Sequence, residues 1–278
     1  MNIEKHSGMM TELHSDTLVQ TWDSILAIQT DLFGPEEVNL LKSWGFEENG
    51  GGVLDIGCGN GAYGHFLAKE FPYVKFYGIE KHPNLIRNAQ EKLIKINNYS
   101  IFNCDLNTHL LPDDVAGQFN QCLLRLVLQH CPDPFKIIKK VYDSLPKGGR
   151  IFVIEEDDDF FKMYPDCKAF NDVVRIWKTV CETEGTERYM GAKVPILLKR
   201  AGFNVKKVKV LPQSNFEVGP QLIDYLIESV NLMHLTNKEI VSLERVASIK
   251  QGFDRYLEKH EDHWFATYPE IVTMAEKI

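Results

Sequence analysis

Hydrophobic positions along the chain follow two different spacings, and the change between them divides the sequence. From residue 16 to 33 apolar side chains, including that of Trp22, recur every three or four positions, which predicts an amphipathic helix ended by Gly34. Pro35 suits the first turn of a second helix, which is predicted to end near Gly45. The chain is therefore predicted to begin with N-terminal helices.

From residue 53 onward, short apolar runs alternate with stretches of helical spacing. Strands that alternate with helices form βαβ units, so the fold class is predicted as α/β with a mostly parallel sheet covered by helices on both faces. The predicted strands are 53–56, 75–79, 101–103, 121–126, 150–154 and 205–211. The predicted helices lie near 61–70, 84–96, 134–145, 168–183 and 194–200.

The segment after residue 211 is predicted to differ from this alternating core. Residues 215–218 are predicted to form a strand that pairs with 205–211, and the rest of the chain is predicted to be helical. Residues 236–239 fit a capping box, and apolar residues follow at helical spacing. We therefore expect residues 1–212 to hold the N-terminal helices and the core, which begins near residue 46. Residues 213–278 would hold the last strand and a C-terminal helical cap of the same domain.

A glycine-rich turn follows the first predicted strand, where residues 53–61 run from apolar residues into three glycines. Glycine lets the backbone turn tightly and lets a ligand approach closely. The spacing also satisfies a dinucleotide fingerprint, with Glu80 near the place of its ribose-binding acid, so a nicotinamide or flavin enzyme is one alternative. Asp55, two residues before the first glycine, favours a different kind of ligand, because its negative charge would repel a pyrophosphate and attract a cationic group.

The segment 55–61 resembles motif I of the class I S-adenosylmethionine-dependent methyltransferases. Further resemblances follow in order over roughly residues 50–210, most of the chain, at 77–80, 103–106, 119–134, 145–150 and 197–203. The resemblance implies a Rossmann-like seven-stranded sheet and a transferase of class EC 2.1.1. It also implies S-adenosyl-L-methionine as cofactor and S-adenosyl-L-homocysteine as product.

The resemblance also implies which residues hold the cofactor. Glu80 would accept hydrogen bonds from both ribose hydroxyls, Asp105 would accept from the adenine amino group, and Leu106 would line the adenine ring. One position departs from the family, because Asn120 stands where many members carry an acid. The implied cofactor-binding residues are Asp55, Gly57, Cys58, Gly59, Gly61, Glu80, Lys81, Asp105, Leu106, Leu124 and Arg125.

Two residues near the end of the fourth predicted strand are candidates for the site itself. Arg125 interrupts an apolar run, and an unpaired buried cation is costly, so it must reach water, an acid or a ligand. Its alternative role is a structural ion pair beside the site. His130 lies on the following loop and is the candidate catalytic base, with a hydrogen-bonded structural histidine as the alternative.

Five consecutive acids, at residues 155–159, follow the fifth predicted strand. Glu155, Asp157 and the nearby Tyr164 are therefore candidate substrate-binding residues, while a solvated loop is the ordinary explanation of a charge run. A divalent cation would also suit clustered oxygens, but nothing supplies a complete ligand set, so no metal is predicted.

Composition narrows the partners and the compartment. The formal net charge of -8 disfavours a nucleic-acid binder. The six cysteines form no C-x-x-C pair, which favours a reducing, cytoplasmic location over a disulfide or zinc framework. No apolar run approaches the roughly 20 residues of a membrane-spanning helix, so no membrane partner is predicted.

Methylation of a small-molecule acceptor is the leading functional hypothesis, with the methylated atom left open. A protein or peptide methyltransferase and a non-catalytic S-adenosylmethionine-binding protein are the alternatives. The helical ends offer a cap over the ligand or, equally, a face for a homodimer.

Overall fold

The computed structural model describes residues 16–46 and 51–278. Helices and strands alternate through the middle of this part of the chain, and the predicted α/β fold class is confirmed. The helices are α1 (Asp16–Ser43), α2 (Ala62–Glu70), α3 (Pro83–Leu93), α4 (Pro134–Ser144), α5 (Lys168–Glu184), α6 (Met190–Ala201), α7 (Asn215–Val218), α8 (Gln221–Thr236) and α9 (Leu243–His260). The strands are β1 (Gly52–Ile56), β2 (Lys75–Glu80), β3 (Tyr99–Asn103), β4 (Phe119–Arg125), β5 (Arg150–Glu156), β6 (Lys162–Tyr164), β7 (Phe203–Ser214) and β8 (Phe265–Lys277).

One sheet joins the described strands in the order β3-β2-β1-β4-β5-β8, after which both β7 and the short β6 pair with β8. The five strands from β3 to β5 are parallel to one another. β8 runs antiparallel to β5, β6 and β7. The three-residue β6 brings the seven expected strands to eight. The order in which successive strands are added to the sheet reverses between β1 and β4, so the carboxyl ends of the parallel strands open a crevice there.

Apolar side chains of the sheet pack into two layers because successive residues of a strand point to opposite faces. On β1, Val53 packs into a cluster with α2, α3 and the second half of α1, whereas Leu54 packs into another with α4 and α6. A third cluster joins the first half of α1 to α5, α8 and α9. This third cluster forms a helical layer beyond the crevice.

The end of the chain corrects the expectation of a purely helical C-terminal cap. Residues 265–277 form β8, a buried strand of 13 residues that lies between β5 and β7. This segment was expected to be helical like the rest of the C-terminal part, and its Pro269 cannot donate to a strand ladder. In the structure, however, the pairing with β5 ends at Glu270, so Pro269 lies beyond that ladder and opposite Pro212 of β7.

Two other local predictions near the C-terminus are wrong. Residues 215–218 form the short helix α7 rather than a strand, and Ser214 and Glu217 make a reciprocal capping box at its start. The segment 236–239 does not begin a helix, since α8 ends at Thr236. The next helix, α9, starts after Ser242, whose side chain accepts a hydrogen bond from a backbone N–H of its first turn.

The two expected N-terminal helices are one continuous helix, α1, of 28 residues with Pro35 inside it. Packing explains why the helix continues past Gly34. A Cβ atom there would lie 3.1 Å from the ring of Phe66, so the glycine permits close approach to α2. Phe33 and Leu41, on either side of the proline, are fully buried. Their burial outweighs the hydrogen bond lost at Pro35.

Candidate functional site

A cavity of about 190 Å³ lies at the carboxyl ends of the parallel strands, beneath α1, α5 and α8. We call the part formed by the loops after β1, β2 and β3 the strand-end half, and the part formed by α1, α5, α8 and the residues after α5 the helical half. The strand-end half includes Asp55, Gly57, Cys58, Gly59, Asn60, Glu80, Lys81, Asp105 and Leu106. The helical half includes Trp22, Gln29, Trp177, Arg188, Tyr225, Leu232 and Met233.

The glycine loop between β1 and α2 is held tightly against the neighbouring strands. Gly57 has a φ of 70°, and a Cβ atom there would lie 2.7 Å from Val127, so a larger residue would be strained and would also clash. The backbone N–H groups of Gly57 and Cys58 both donate to the carbonyl of Ile79, at 2.8 and 3.1 Å. The loop is therefore a fixed wall of the cavity.

Glu80 at the end of β2 is bound by three backbone donors. Its carboxylate accepts hydrogen bonds from the N–H groups of Gly59 at 3.1 Å, Lys81 at 2.8 Å and His82 at 3.0 Å. Burial raises the pKa of Glu80, and the three N–H bonds oppose that shift. Each carboxylate oxygen has more than one acceptor direction, so the group retains capacity for ligand hydroxyls.

Asp55 adds a second buried carboxyl group near the glycine loop. Burial raises its pKa to about 6, although a hydrogen bond from the hydroxyl of Tyr99, at 2.5 Å, acts in the opposite direction. This carboxyl group and Glu80 both line the strand-end half. Carboxyl groups in a low-dielectric wall favour a ligand that carries positive charge.

The loop after β3 places Asp105 and Leu106 on the cavity wall. The Asp105 carboxylate accepts from the backbone and side-chain nitrogens of Asn107, at 2.9 and 2.8 Å. Burial acts to raise the pKa of Asp105, but these two hydrogen bonds outweigh it and the pKa is lowered. A charged acceptor therefore stands beside the apolar side chains of Leu106 and Ile79, which suits a flat ring with an amino group.

The first half of α1 is fastened over the glycine loop. The side-chain nitrogen of Asn60 donates to the carboxylate of Asp23 at 2.9 Å and to its carbonyl at 3.0 Å. Asn88 and Lys92 of α3 bind the same carboxylate oxygen, at 3.1 and 2.5 Å. Burial acts to raise the pKa of Asp23, but its hydrogen bonds prevail and the pKa is lowered. The Asp23 carboxylate thus ties α1 both to the glycine loop and to α3.

Arg125 lines the cavity, but its guanidinium binds other parts of the protein. It makes two 2.7 Å hydrogen bonds to the carboxylate of Glu37, donates to the carbonyl of Gln29 at 3.3 Å and lies 4.3 Å from the ring of Tyr63. Both charged side chains are almost completely buried. The structural ion pair, which was the alternative prediction, describes the observed contacts, and contact with the cofactor remains a prediction.

His130 lies on the loop after β4 and lines the cavity beside Trp22, with the two ring centroids 6.5 Å apart. Burial lowers the pKa of His130 to about 4, so the ring is neutral near pH 7. Its Nδ1 atom is buried without a hydrogen-bond partner among the described residues. A neutral imidazole nitrogen of this kind can accept a hydrogen bond, and the role of His130 as a base remains a prediction.

Glu155 supports this loop from below. Its Oε1 atom accepts from the backbone N–H groups of Val127 at 2.9 Å and Leu128 at 2.6 Å, and burial raises its pKa to about 8. The loop also contains Leu126 in a left-handed conformation, with a φ of 55°. The Glu155 side chain therefore contacts the protein backbone rather than the cavity, which corrects its predicted place in a substrate pocket.

The acids that follow Glu155 are also bound by the protein's own donors. Glu156 and Asp158 both pair with the guanidinium of Arg188, which lies 4.1 Å from the ring of Trp177. Asp157 accepts from the N–H of Ala192 at 3.1 Å, at the start of α6. Within residues 16–46 and 51–278, no group of three His, Cys, Asp or Glu side chains is arranged to hold a metal ion.

Four further predicted site residues do not line the cavity. Asp157 binds α6, and Tyr164 is 74% exposed on the short strand β6, outside the cavity lining. Leu124 of β4 is completely buried on the face of the sheet that packs with α4 and α6. At Gly61 a Cβ atom would lie 2.9 Å from Ala89, so this glycine allows α2 to approach α3 rather than a ligand.

The helical half contains functional candidates that sequence reasoning missed. Trp22 was recognised only as part of an amphipathic helix, and nothing in the pattern showed that this face covers the glycine loop. Glu37 belongs to no recognised motif in the sequence. Arg188, Tyr225 and Met233 lie more than a hundred residues from the glycine motif, on elements without a recognised signature.

Comparison with known proteins shows what the middle of the chain is similar to. Residues 54–151 match a family model described as a methyltransferase domain. This segment contains the glycine loop, Glu80 and Asp105, and the predicted resemblance to the class I S-adenosylmethionine-dependent methyltransferases is confirmed. The prediction of S-adenosylmethionine as the cofactor of that family is confirmed as well.

Two curated relatives are similar over part of the chain. Phosphoethanolamine N-methyltransferase 2 of Caenorhabditis elegans is 29% identical over 49% of this chain and 32% of its own length. Ubiquinone biosynthesis O-methyltransferase of Xylella fastidiosa is 32% identical over 38% of this chain and 42% of its own length. The matches thus span from about a third to less than half of these relatives.

A solved structure extends the similarity in fold. Phosphoethanolamine N-methyltransferase 2 of Haemonchus contortus, in complex with phosphomonomethylethanolamine and S-adenosylhomocysteine, has a TM-score of 0.57 and 19% identity. The match covers 94% of this chain and 58% of that one.

Within the described residues, no helix has the length and apolar composition required to cross a membrane.

Proposed function

We propose that this chain is an S-adenosylmethionine-dependent methyltransferase that acts on a small-molecule acceptor. One observation carries the proposal: a single cavity joins the strand-end half, which carries the family's motifs, to a helical half with aromatic walls. The first half suits the cofactor and the second suits the acceptor. Contact between the two within one cavity is what transfer of a group between two molecules requires.

The strand-end half fits the cofactor in shape and in charge. Gly57 lets the loop turn tightly against Val127 with a φ of 70°, and the buried carboxyl groups of Asp55 and Glu80 favour a ligand with ammonium and sulfonium groups. Glu80 would accept the ribose hydroxyls, and Asp105 the adenine amino group. The bound cofactor would supply an activated methyl group on a sulfonium, which is already a good leaving group.

The protein's own contribution would be alignment and exclusion of water. The fixed glycine loop and Glu80 would orient the cofactor, while α1, held by Asp23, would cover it. The helical half would hold the acceptor against the methyl group. Because positioning removes much of the entropic barrier to a bimolecular step, no strong base is required for a nucleophilic acceptor.

A small-molecule acceptor is favoured over a protein segment because helices cover the cavity. Residues of α1, α5 and α8 all contribute to its wall, and α1 contacts α8 directly through the hydrogen bond from Gln29 to Tyr225, at 2.8 Å. A peptide chain would need an open groove instead. The Haemonchus contortus neighbour, which binds phosphomonomethylethanolamine, supports a small acceptor for this fold.

The test is transfer of an isotopically labelled methyl group from S-adenosylmethionine to a fractionated cell extract. We expect label in the small-molecule fraction, with none transferred by Glu80→Ala. Label in the protein fraction would favour the protein methyltransferase instead. Tight binding of S-adenosylhomocysteine without transfer to any fraction would favour a non-catalytic binding protein.

The surroundings in which the protein acts are part of this proposal. All six cysteines are free, and four of them are buried, which supports a reducing compartment such as the cytoplasm. The net charge of -8 supports an acceptor other than a nucleic acid. A homodimer through the helical faces remains a proposal, which the mass of the protein in solution would test.

A further inference from the structure

Two of the cations that line the cavity are already bound by acids of the protein. Among the described residues that line the cavity, the cations other than histidine are Lys81, Arg125 and Arg188. Arg125 is bound by Glu37, and Arg188 is bound by Glu156 and Asp158. Lys81 lies beside Glu80, in the strand-end half. An anionic acceptor would therefore meet no uncompensated cation in the helical half, and its desolvation would be unfavourable.

Two ring nitrogens on the cavity wall differ from these bound charges, because each is buried without a hydrogen-bond partner. The Nε1–H donor of Trp22 and the Nδ1 atom of His130 make no hydrogen bond within the described part of the chain. Both residues line the cavity, and their rings meet edge to face. Buried polar atoms are nearly always satisfied in native proteins, so this pair points to a group that binds between them.

The chemistry of the two nitrogens selects that group. The indole N–H can only donate, and a neutral imidazole with its proton on Nε2 can only accept at Nδ1. Burial lowers the pKa of His130 to about 4, which keeps the ring neutral in the working range of pH. A hydroxyl group satisfies both nitrogens at once, because its oxygen accepts from Trp22 while its proton is donated to His130.

The remainder of the helical half is suited to an apolar body. Trp177, Leu232 and Met233 contribute flat and flexible apolar surfaces to the wall. Tyr225 is buried, and its hydroxyl group is already bound by Gln29. The helical half therefore has a mostly apolar interior, and the ring nitrogens of Trp22 and His130 are two of the buried polar atoms on the cavity wall that lack a hydrogen-bond partner among the described residues.

We propose that the methyl acceptor is an uncharged molecule with an apolar, ring-containing body, and that its hydroxyl group binds between Trp22 Nε1 and His130 Nδ1. This inference rests on the proposed function and makes the reaction an O-methylation. The oxygen–methyl bond forms as the sulfur–methyl bond breaks, and the electron pair of the broken bond stays on sulfur. The hydroxyl proton passes to His130 Nδ1 and then to water.

A matched set of three compounds tests the proposal by binding alone. The protein is first saturated with S-adenosylhomocysteine, and 2-naphthol, 2-methoxynaphthalene and 2-naphthyl phosphate are then titrated into it by calorimetry. We expect 2-naphthol to bind about tenfold more tightly than the ether, which cannot donate to His130, and also more tightly than the phosphate. Equal affinities, tighter binding of the phosphate, or no binding of 2-naphthol would overturn the proposal.

Single-residue variants test the two nitrogens directly. Trp22→Phe removes the indole donor and keeps a ring, so we expect 2-naphthol to bind about tenfold more weakly. His130→Phe is expected to have a similar effect on 2-naphthol but little on the ether. Trp44→Phe, outside the cavity, is the matched control and is expected to change neither affinity.

The readouts separate this proposal from the one on which it rests. Binding of S-adenosylhomocysteine is expected to stay unchanged in both cavity variants, and urea unfolding checks that each variant is folded under the conditions of the titration. If S-adenosylhomocysteine does not bind the unmodified protein, the proposed function itself fails. If it binds but both variants keep the affinity of the unmodified protein for 2-naphthol, only the assignment of a hydroxyl acceptor at these two nitrogens fails.

Discussion

The two halves of the cavity are built in different ways. The strand-end half consists of short loops in which backbone N–H groups bind side chains close in sequence, as where Lys81 and His82 donate to Glu80. The helical half consists of contacts between distant residues, such as Arg125 with Glu37 and Gln29 with Tyr225. The first half is a local arrangement of the backbone, and the second exists only once the helices have packed.

This difference explains how one fold can retain its cofactor-binding site while its acceptor-binding site varies. Substitutions in α5 and α8 alter the acceptor wall without touching the glycine loop, whereas the loop tolerates little change because Gly57 has no space for a side chain. The four predictions below test the comparison from either side, beginning with the largest effect.

Glu37→Gln is expected to damage the helical half through its folding stability. The substitution leaves the buried Arg125 guanidinium without its carboxylate, which should lower the free energy of unfolding by about 3–5 kcal/mol. Urea unfolding measures the change. The control is Glu36→Gln on the exposed face of the same helix, where we expect almost none. Equal effects of the two substitutions would contradict the importance of the buried pair.

Glu80→Ala is expected to damage the strand-end half through binding instead. Loss of the carboxylate removes two charge-assisted hydrogen bonds to ribose hydroxyls, so S-adenosylhomocysteine should bind about 30- to 100-fold more weakly in calorimetry. Glu70→Gln, exposed at the far end of α2, serves as the control. An unchanged affinity in Glu80→Ala would remove this residue from the cofactor site.

Glu155 sharpens the comparison because it holds the loop between the two halves. Burial raises its folded pKa to about 8, above the usual value of 4.5, so the folded protein keeps a proton that the unfolded chain releases. The resulting stability is complete below pH 4.5 and is lost as the pH rises to about 8. We expect Glu155→Gln to remove most of this decline.

The measurement is the free energy of unfolding at several pH values between these limits. Glu156→Gln provides no clean control, since Glu156 binds Arg188, so the exposed Glu36→Gln variant is used again. A decline that persists unchanged in Glu155→Gln would show that the carboxyl group is ionised in the folded protein.

Asp23→Ala is expected to have the smallest effect. It releases α1 from Asn60 and Lys92, and we expect S-adenosylhomocysteine to dissociate roughly fivefold faster, as loss of about 1 kcal/mol implies. Stopped-flow displacement measures the rate. Asp31→Ala, exposed on the same helix, should leave it unchanged. A rate that is the same in both variants would show that α1 does not retain the cofactor.

The sequence predicts the strand-end half well because its signals are local. Alternating strands and helices between residues 52 and 211 follow directly from apolar spacing, and Glu80 and Asp105 lie on the cavity wall as their motifs imply. Their contacts with a bound cofactor remain predictions. The physical reason for this success is that a glycine turn after a strand dictates its own geometry.

The rest depends on packing that no local pattern records. The spacing showed that Arg125 needs a partner but could not show that Glu37, 88 residues away, provides it. The C-terminal segment was predicted to be helical, yet it forms the central strand β8, in which Pro269 lies beyond the ladder with β5. Likewise, the apolar face of α1 was predicted correctly, while the cavity beneath Trp22 becomes visible only in the folded protein.

The most direct test of the whole account is a calorimetric titration of the purified protein with S-adenosylmethionine, S-adenosylhomocysteine and NADH. We expect the first two to bind with micromolar affinity at one site per chain, with NADH not binding, because the buried carboxyl group of Asp55 beside the glycine loop disfavours a pyrophosphate there. Binding of NADH alone would contradict the account and favour a dinucleotide-dependent oxidoreductase.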